Sequence, residues 1–225
     1  MLIKQVIKNF SPELILFFNG WSMDEEVISH LSSKNYDVIT VYDYTNLDNV
    51  DELRTILKSY SKYSVIAWSL GVWCFSEIAE LLPKPNLAVA INGTLSPIDE
   101  FSGISPSVYQ ATIDNLSEIT KKKFDRRMFT ALDEYNQFLS GRPKRTIESQ
   151  KLELISIKQR YINSNEAYNP YNAVIISNND KIFTTQNQIN YWKSIISPIL
   201  IESGHFPYYN YTNWEEILDM ADENV

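Results

Sequence analysis

Seven short apolar runs, at residues 2–8, 14–18, 37–41, 64–69, 87–92, 173–177 and 198–202, alternate for the most part with segments of helical periodicity. Runs of this length are too short for core helices and read as buried strands. Parallel strands need helical crossovers, so the alternation predicts an α/β fold with a mostly parallel, doubly wound sheet. The link Asn9-Phe10-Ser11-Pro12-Glu13 is too short for a crossover helix, so the first two runs are expected to pair antiparallel at one edge. Helices are expected to open at Asp48–Leu53 and to run over Leu70 to Leu82, Thr185 to Ile196 and Trp214 to Ala221. Asp24 to Leu31 reads as an amphipathic helix carrying His30. A chain of 225 residues with 44% hydrophobic content suits one domain, 1–225, with a full core.

The fourth run breaks at Ala67-Trp68-Ser69-Leu70-Gly71 and resumes as a helix, the form of a nucleophile elbow. A serine at such an apex needs small residues two positions away on either side, and Ala67 and Gly71 supply them. Ala67 departs from the usual glycine by one methyl. The elbow predicts partners in the chain order Ser, then Asp or Glu, then His. The chain has two histidines, and His205 follows a late apolar run ending in Gly204. His30 is read as a solvated or capping residue. Asp180 closes the run Ala173–Asn179 and is the candidate acid, with Asp99 or Glu100 in reserve; an aspartate of a simple Asx-turn is the competing reading. The amides of Leu70 and Trp21 are the expected oxyanion donors, with Gly20 permitting a close backbone approach.

Trp21, Trp68 and Phe206 flank these groups in sequence and are candidates for the walls of an apolar pocket. The lone cysteine, Cys74, falls in the helix after the elbow and reads as a packing residue, and no internal disulfide can form. Neither a cofactor nor a metal is expected. The absence of an apolar stretch of membrane-span length and of a charged-then-apolar leader predicts a cytoplasmic chain without membrane contact. A monomer is expected.

Residues 95–170 form a long polar interval with helical periodicity and no strand, expected to be a helical lid inserted between the fifth and sixth runs. Lys121, Lys122, Lys123, Arg126, Arg127, Arg142, Lys144 and Arg145 face only Asp125, Asp133 and Glu134 within residues 121–145, although the whole chain carries −8. Charge is thus segregated, and a basic lid on an acidic body calls for an acidic partner. A pI near 4.9 and the lack of a nucleic-acid-binding motif point away from nucleic acid and toward protein.

Together, Phe17–Asp24, Ala67–Trp73, Asn179–Phe183 and Gly204–Pro207 resemble the BioG family of α/β-hydrolases and, more distantly, the BioH esterases. Asn19 stands where the latter usually carry the histidine of a His-Gly pair. The resemblance implies a pimeloyl-[acyl-carrier protein] methyl ester esterase of biotin synthesis, in which Ser69 attacks the ester, His205 relays the proton and the basic lid meets acyl-carrier protein. Three other readings stand beside it. They are a general carboxylesterase or thioesterase, a lyase on the same fold, and a noncatalytic carrier-binding module.

Overall fold

The computed structural model describes residues 1–164 and 168–224. Each predicted run forms a strand: β1 (Leu2–Ile7), β2 (Glu13–Phe18), β3 (Asp37–Tyr42), β4 (Lys62–Trp68), β5 (Ala88–Ile91), β6 (Ala173–Ser177) and β7 (Ile199–Ile201). They build one sheet in the order β1-β3-β2-β4-β5-β6-β7. All pairings are parallel except that of β1 with β3. Successive side chains of β2 enter opposite layers, Leu14, Leu16 and Phe18 on one side and Ile15 and Phe17 on the other. Both faces of the central strands are covered, which is why their sequences read as continuous apolar runs rather than as an alternation. The helices α1 (Val50–Leu57), α2 (Leu70–Ala79), α7 (Thr185–Trp192) and α8 (Glu215–Asp222) fall at the expected places.

Two expectations are corrected. β1 lies antiparallel at the edge, but its partner is β3 and not β2. The link after β1 passes the end of β3, where the buried Asp37 carboxylate accepts the Asn9 and Ser11 amides at 2.8 and 3.1 Å and the Lys8 ammonium at 2.6 Å. Those bonds hold the Asp37 carboxyl down at about 2, against the opposing effect of its burial. Five residues span two strand spacings, about 10 Å, without strain. The helix expected over Asp24 to Leu31 shrinks to a 3-10 turn at Glu25–Ile28, capped by Asp24. His30 lies beyond it, exposed, with its Nε2 3.1 Å from the Tyr208 carbonyl.

Among the described residues between β5 and β6 there are four helices, α3 (Pro106–Asn115), α4 (Glu118–Arg127), α5 (Leu132–Ser140) and α6 (Ile147–Asn163). Residues 165–167 of the expected 95–170 interval lie outside the described residues. Tyr109 and Ile113 of α3 and Leu154 and Ile157 of α6 join the core layer that contains α2. The Tyr109 hydroxyl donates to the Leu154 carbonyl at 3.0 Å.

The start of α2 lies against β2 with no room for a side chain at Gly71. A Cβ there would stand 2.4 Å from the Asn19 carbonyl oxygen and 2.5 Å from that of Phe18. Gly71→Ala is therefore expected to destabilise the protein by about 2–3 kcal/mol, the upper part of the overpacking range, because both obstacles are backbone. The urea denaturation midpoint measures this directly, and an unchanged midpoint would contradict it.

Candidate active site

Ser69 stands between β4 and α2 with φ 58° and ψ −128°, a conformation that costs a non-glycine residue about 1–3 kcal/mol and is kept by its surroundings. Its amide donates to the Ile91 carbonyl at 2.9 Å, and its carbonyl accepts the Val72 amide at 3.1 Å. Gly93 is pressed so closely to the apex that a Cβ would sit 2.3 Å from the Ser69 carbonyl oxygen. Ala67, in the place of the usual glycine, is buried and paired in register with Phe18 and Ala90, so its methyl is accommodated inside the sheet.

The loops after β4, β6 and β7 bring three side chains into one line. The Ser69 hydroxyl lies 2.9 Å from His205 Nε2, and His205 Nδ1 lies 2.7 Å from Asp180 Oδ2. All three residues are at most 5% exposed. With Nδ1–H donating to the carboxylate, Nε2 is left to accept the serine proton, which is the tautomer that general-base chemistry requires. Asp180 is further held by the Ile182 amide on Oδ1 at 2.8 Å and by Gln188 Nε2 on Oδ2 at 2.9 Å.

His205 is fixed by its backbone as well as by its ring. Its carbonyl accepts Trp68 Nε1 at 2.8 Å and Asn92 Nδ2 at 2.9 Å. The ring stacks on Phe183 at an interplanar angle of 11°. Asn92, fully buried with φ 49°, also donates to the Ser177 hydroxyl and accepts the Ser177 amide, so it ties β5 to the loops that carry the acid and the histidine. Neither Asn92 nor Gln188 is among the residues singled out from sequence. Asn92 does carry a signal, an asparagine followed by glycine directly after a buried strand.

The loop after β2 lies against the elbow. A Cβ on Gly20 would meet the Trp68 ring at 2.7 Å and Ser69 Cβ at 3.3 Å. Asn19 Oδ1 accepts the Gly20 amide and Asn19 Nδ2 donates to the Asp24 carbonyl, both at 2.9 Å. Asn19 thus shapes the loop from within. Among the described residues no protein acceptor takes up the Trp21 or Leu70 amide. Leu70 directly follows Ser69 in the chain, and Trp21 directly follows Gly20, whose backbone rests against Ser69.

A cleft of about 570 Å³, part of it open to solvent, runs over Ser69 and His205. Trp21 and Trp68 line it, as expected from sequence, together with Tyr109 and Leu154 from α3 and α6 and with Arg127 from α4. Phe206 does not. It is 2% exposed and packs among Phe129, Phe138, Tyr208 and Tyr209, with its ring edge-on to that of Trp68. The reserve acids are engaged elsewhere, Asp99 by Phe101 and Ser102 and Glu100 by Ser105. Cys74 is fully buried, and burial pushes its thiol well above the ordinary range.

Two of the eight basic residues are not on the surface. Lys121 is 6% exposed, paired with Asp125 and placed 5.7 Å over the Trp21 ring. Desolvation pushes its ammonium below the ordinary value, and Asp125 opposes that shift. The Arg145 side chain is 7% exposed between Asp43 at 3.1 Å and Glu153 at 2.7 Å. Both therefore leave the pool of docking candidates. Lys122, Lys123, Arg127, Arg142 and Lys144 are exposed, with Lys144 in an ion pair with Glu26 at 2.6 Å, and Arg126 is half-buried beneath Tyr135.

Among the described residues no group of His, Cys, Asp or Glu side chains is placed to hold a metal ion. No helix among them is long and apolar enough to cross a membrane. The site thus brings together a buried hydroxyl, an imidazole within hydrogen-bond reach of it and a carboxylate behind the imidazole.

Comparison with known proteins places this geometry in context. The family described as "Pimeloyl-ACP methyl esterase BioG" matches residues 2–217. A Bacteroides fragilis protein named malonyl-[acyl-carrier protein] O-methyltransferase is 39% identical over 191 residues, which are 83% of this chain and 38% of that protein. The chain thus spans well under half the length of that relative. An uncharacterized Haemophilus influenzae protein is 32% identical over 209 residues, covering 92% of this chain and 94% of its own. The crystal structure of BioG from Haemophilus influenzae superposes with a TM-score of 0.86 at 28% identity, covering 96% and 99% of the two chains.

Proposed function

The chain belongs to the BioG family of pimeloyl-ACP methyl esterases, carboxylic ester hydrolases of biotin synthesis, and on that premise we propose that it hydrolyses the methyl ester of pimeloyl-[acyl-carrier protein] through Ser69, His205 and Asp180. The observation that carries this reading is the hydrogen-bonded line from Asp180 through His205 to Ser69 at the floor of an apolar cleft. His205 Nε2 takes the proton as Ser69 Oγ bonds to the ester carbon, and the Trp21 and Leu70 amides hold the oxyanion. Collapse breaks the bond to the methoxy oxygen, which leaves as methanol with the proton from His205. The distal carboxyl carbon is then esterified to Ser69 while the near end stays on the carrier. Water, deprotonated by His205, releases the free carboxylate and restores Ser69.

The relative from Bacteroides fragilis supports the substrate class. It is named for adding a methyl group to a carrier-bound acyl oxygen, and part of the same polypeptide is similar to this chain. An esterase that removes such a methyl group is its chemical complement.

Hydrolysis of pimeloyl-carrier-protein methyl ester, set against a short p-nitrophenyl ester, tests the reading. Preference for the carrier substrate supports it, and hydrolysis of the small ester alone leaves a general carboxylesterase. The exposed residues Lys122, Lys123, Arg127, Arg142 and Lys144, with the half-buried Arg126, are the proposed docking pool for an acidic carrier. Lys123 lines a depression that shares Val108, Thr112, Phe124 and Arg127 with the catalytic cleft, so it borders the approach to Ser69. The pair Lys122→Glu and Lys123→Glu is expected to lower kcat/KM for the carrier substrate about tenfold at low salt, mostly through association, while the short ester changes by less than about twofold. Equal loss on both substrates would remove α4 from the docking surface.

A further inference from the structure

The helical insertion holds the proposed oxyanion loop from outside the sheet. Glu153, on α6, is completely buried. One of its carboxylate oxygens accepts the Ser22 amide at 3.1 Å and Arg145 Nη1 at 2.7 Å, and the other accepts the Tyr44 amide at 2.9 Å. Every one of these neighbours is a donor, so the position suits an acceptor-only carboxylate. Burial pushes the Glu153 carboxyl up, and Arg145 with the two amides pulls against that shift. A buried ion pair is no better than apolar packing at stabilising a fold, so what it adds here is geometry.

One carboxylate oxygen thus serves the loop after β2 and the other the loop after β3. Ser22 has φ 69°, in the left-handed region, and its neighbour Trp21 donates its indole Nε1 to the Gln150 carbonyl at 2.7 Å. Successive turns of α6 thus grip Trp21 by its ring and Ser22 by its amide, while Gly20 rests on Trp68 and Ser69 from within. We propose that Glu153 is a positioning residue for ester hydrolysis, whose bond to the Ser22 amide sets the direction in which the Trp21 amide meets the oxyanion. This rests on the reading of Ser69 as nucleophile. A bond to a developing oxyanion acts in the transition state and hardly at all on the bound ester, so its misalignment lowers kcat and leaves KM.

The test compares wild type with Glu153→Gln and Glu153→Asp on a short p-nitrophenyl ester. Active sites are counted from the p-nitrophenol burst, and inhibition by a trifluoromethyl ketone, whose adduct carries an oxyanion, is measured alongside. Glu153→Gln is expected to lower kcat per titrated site by about 10- to 100-fold with KM within about threefold, and to raise the inhibition constant by the factor that kcat/KM loses. Glu153→Asp keeps the charge, draws back by one methylene and should fall between. Where Glu153→Gln does not fold, Glu153→Asp decides by the same two readouts. Wild-type kcat per titrated site, or an unmoved inhibition constant, would overturn the proposal and leave Glu153 a support of the fold. Wild type without Ser69-dependent hydrolysis would overturn the reading of the site, and this inference with it. Ser69-dependent activity with indifferent Glu153 variants would overturn the inference alone.

Discussion

Ser69→Ala is expected to lower ester hydrolysis by about 10⁴-fold or more while leaving the protein folded and able to bind its substrate. Among the described residues the hydroxyl has one partner, His205 Nε2 at 2.9 Å, and losing a single oxygen atom opens no large cavity. Alanine at φ 58° bears much the same backbone strain as serine, so the melting temperature should move by no more than a few degrees. Turnover of the carrier-bound methyl ester and of the short p-nitrophenyl ester should fall together, because both need the same nucleophile. Retention of more than about one hundredth of the activity would mean that another group attacks the ester.

Asp180→Asn should cost about 10³- to 10⁴-fold in kcat, with KM nearly unchanged. The carboxylate faces three donors, the Ile182 amide on one oxygen and Gln188 Nε2 and His205 Nδ1 on the other. An asparagine cannot satisfy all of them. With its nitrogen toward His205, the ring must turn over its tautomer and Nε2 can no longer accept the Ser69 proton. With its oxygen toward His205, the nitrogen opposes the Ile182 amide and the imidazolium loses its counter-charge. A loss of less than about tenfold would remove Asp180 from the relay, and Asp99 and Glu100 are too engaged elsewhere to take its place.

These two predictions concern residues that were legible in the sequence, for a physical reason. A nucleophile elbow constrains its neighbours by steric contact, and a relay on a parallel sheet constrains chain order, so local composition carries the signal. The strands were legible because burial on both faces leaves an unbroken apolar run. The partner of β1 was not, because a five-residue link reaches a neighbour or a next neighbour equally well, and Asp37, which settles it, resembles any aspartate at a strand start. Charge counting could not separate Lys121 and Arg145 from exposed neighbours of the same type, since their acidic partners are set by folding: Asp125 one helical turn away for Lys121, and Glu153 and the distant Asp43 for Arg145. Phe206 is misplaced for a related reason: adjacency to His205 in the chain says nothing about whether a side chain faces the cleft or packs behind its wall. Asn92 and Glu153 act through hydrogen bonds to residues far away in sequence, and Gln188 through one that reaches eight residues back to Asp180, and no spacing announces them.

The four helices described between β5 and β6 form one continuous segment of the chain, which makes the insertion look like an exchangeable module. The grip of Gln150 and Glu153 on Trp21 and Ser22 limits that freedom. A chimera that grafts another insertion onto this sheet would inherit a loop after β2 held only from within, by Asn19 and by Gly20 against Trp68. Residues 19–23 and the turn of α6 around 150–153 form one heritable unit split across the chain, and an engineer changing what the cleft admits must carry both halves or neither.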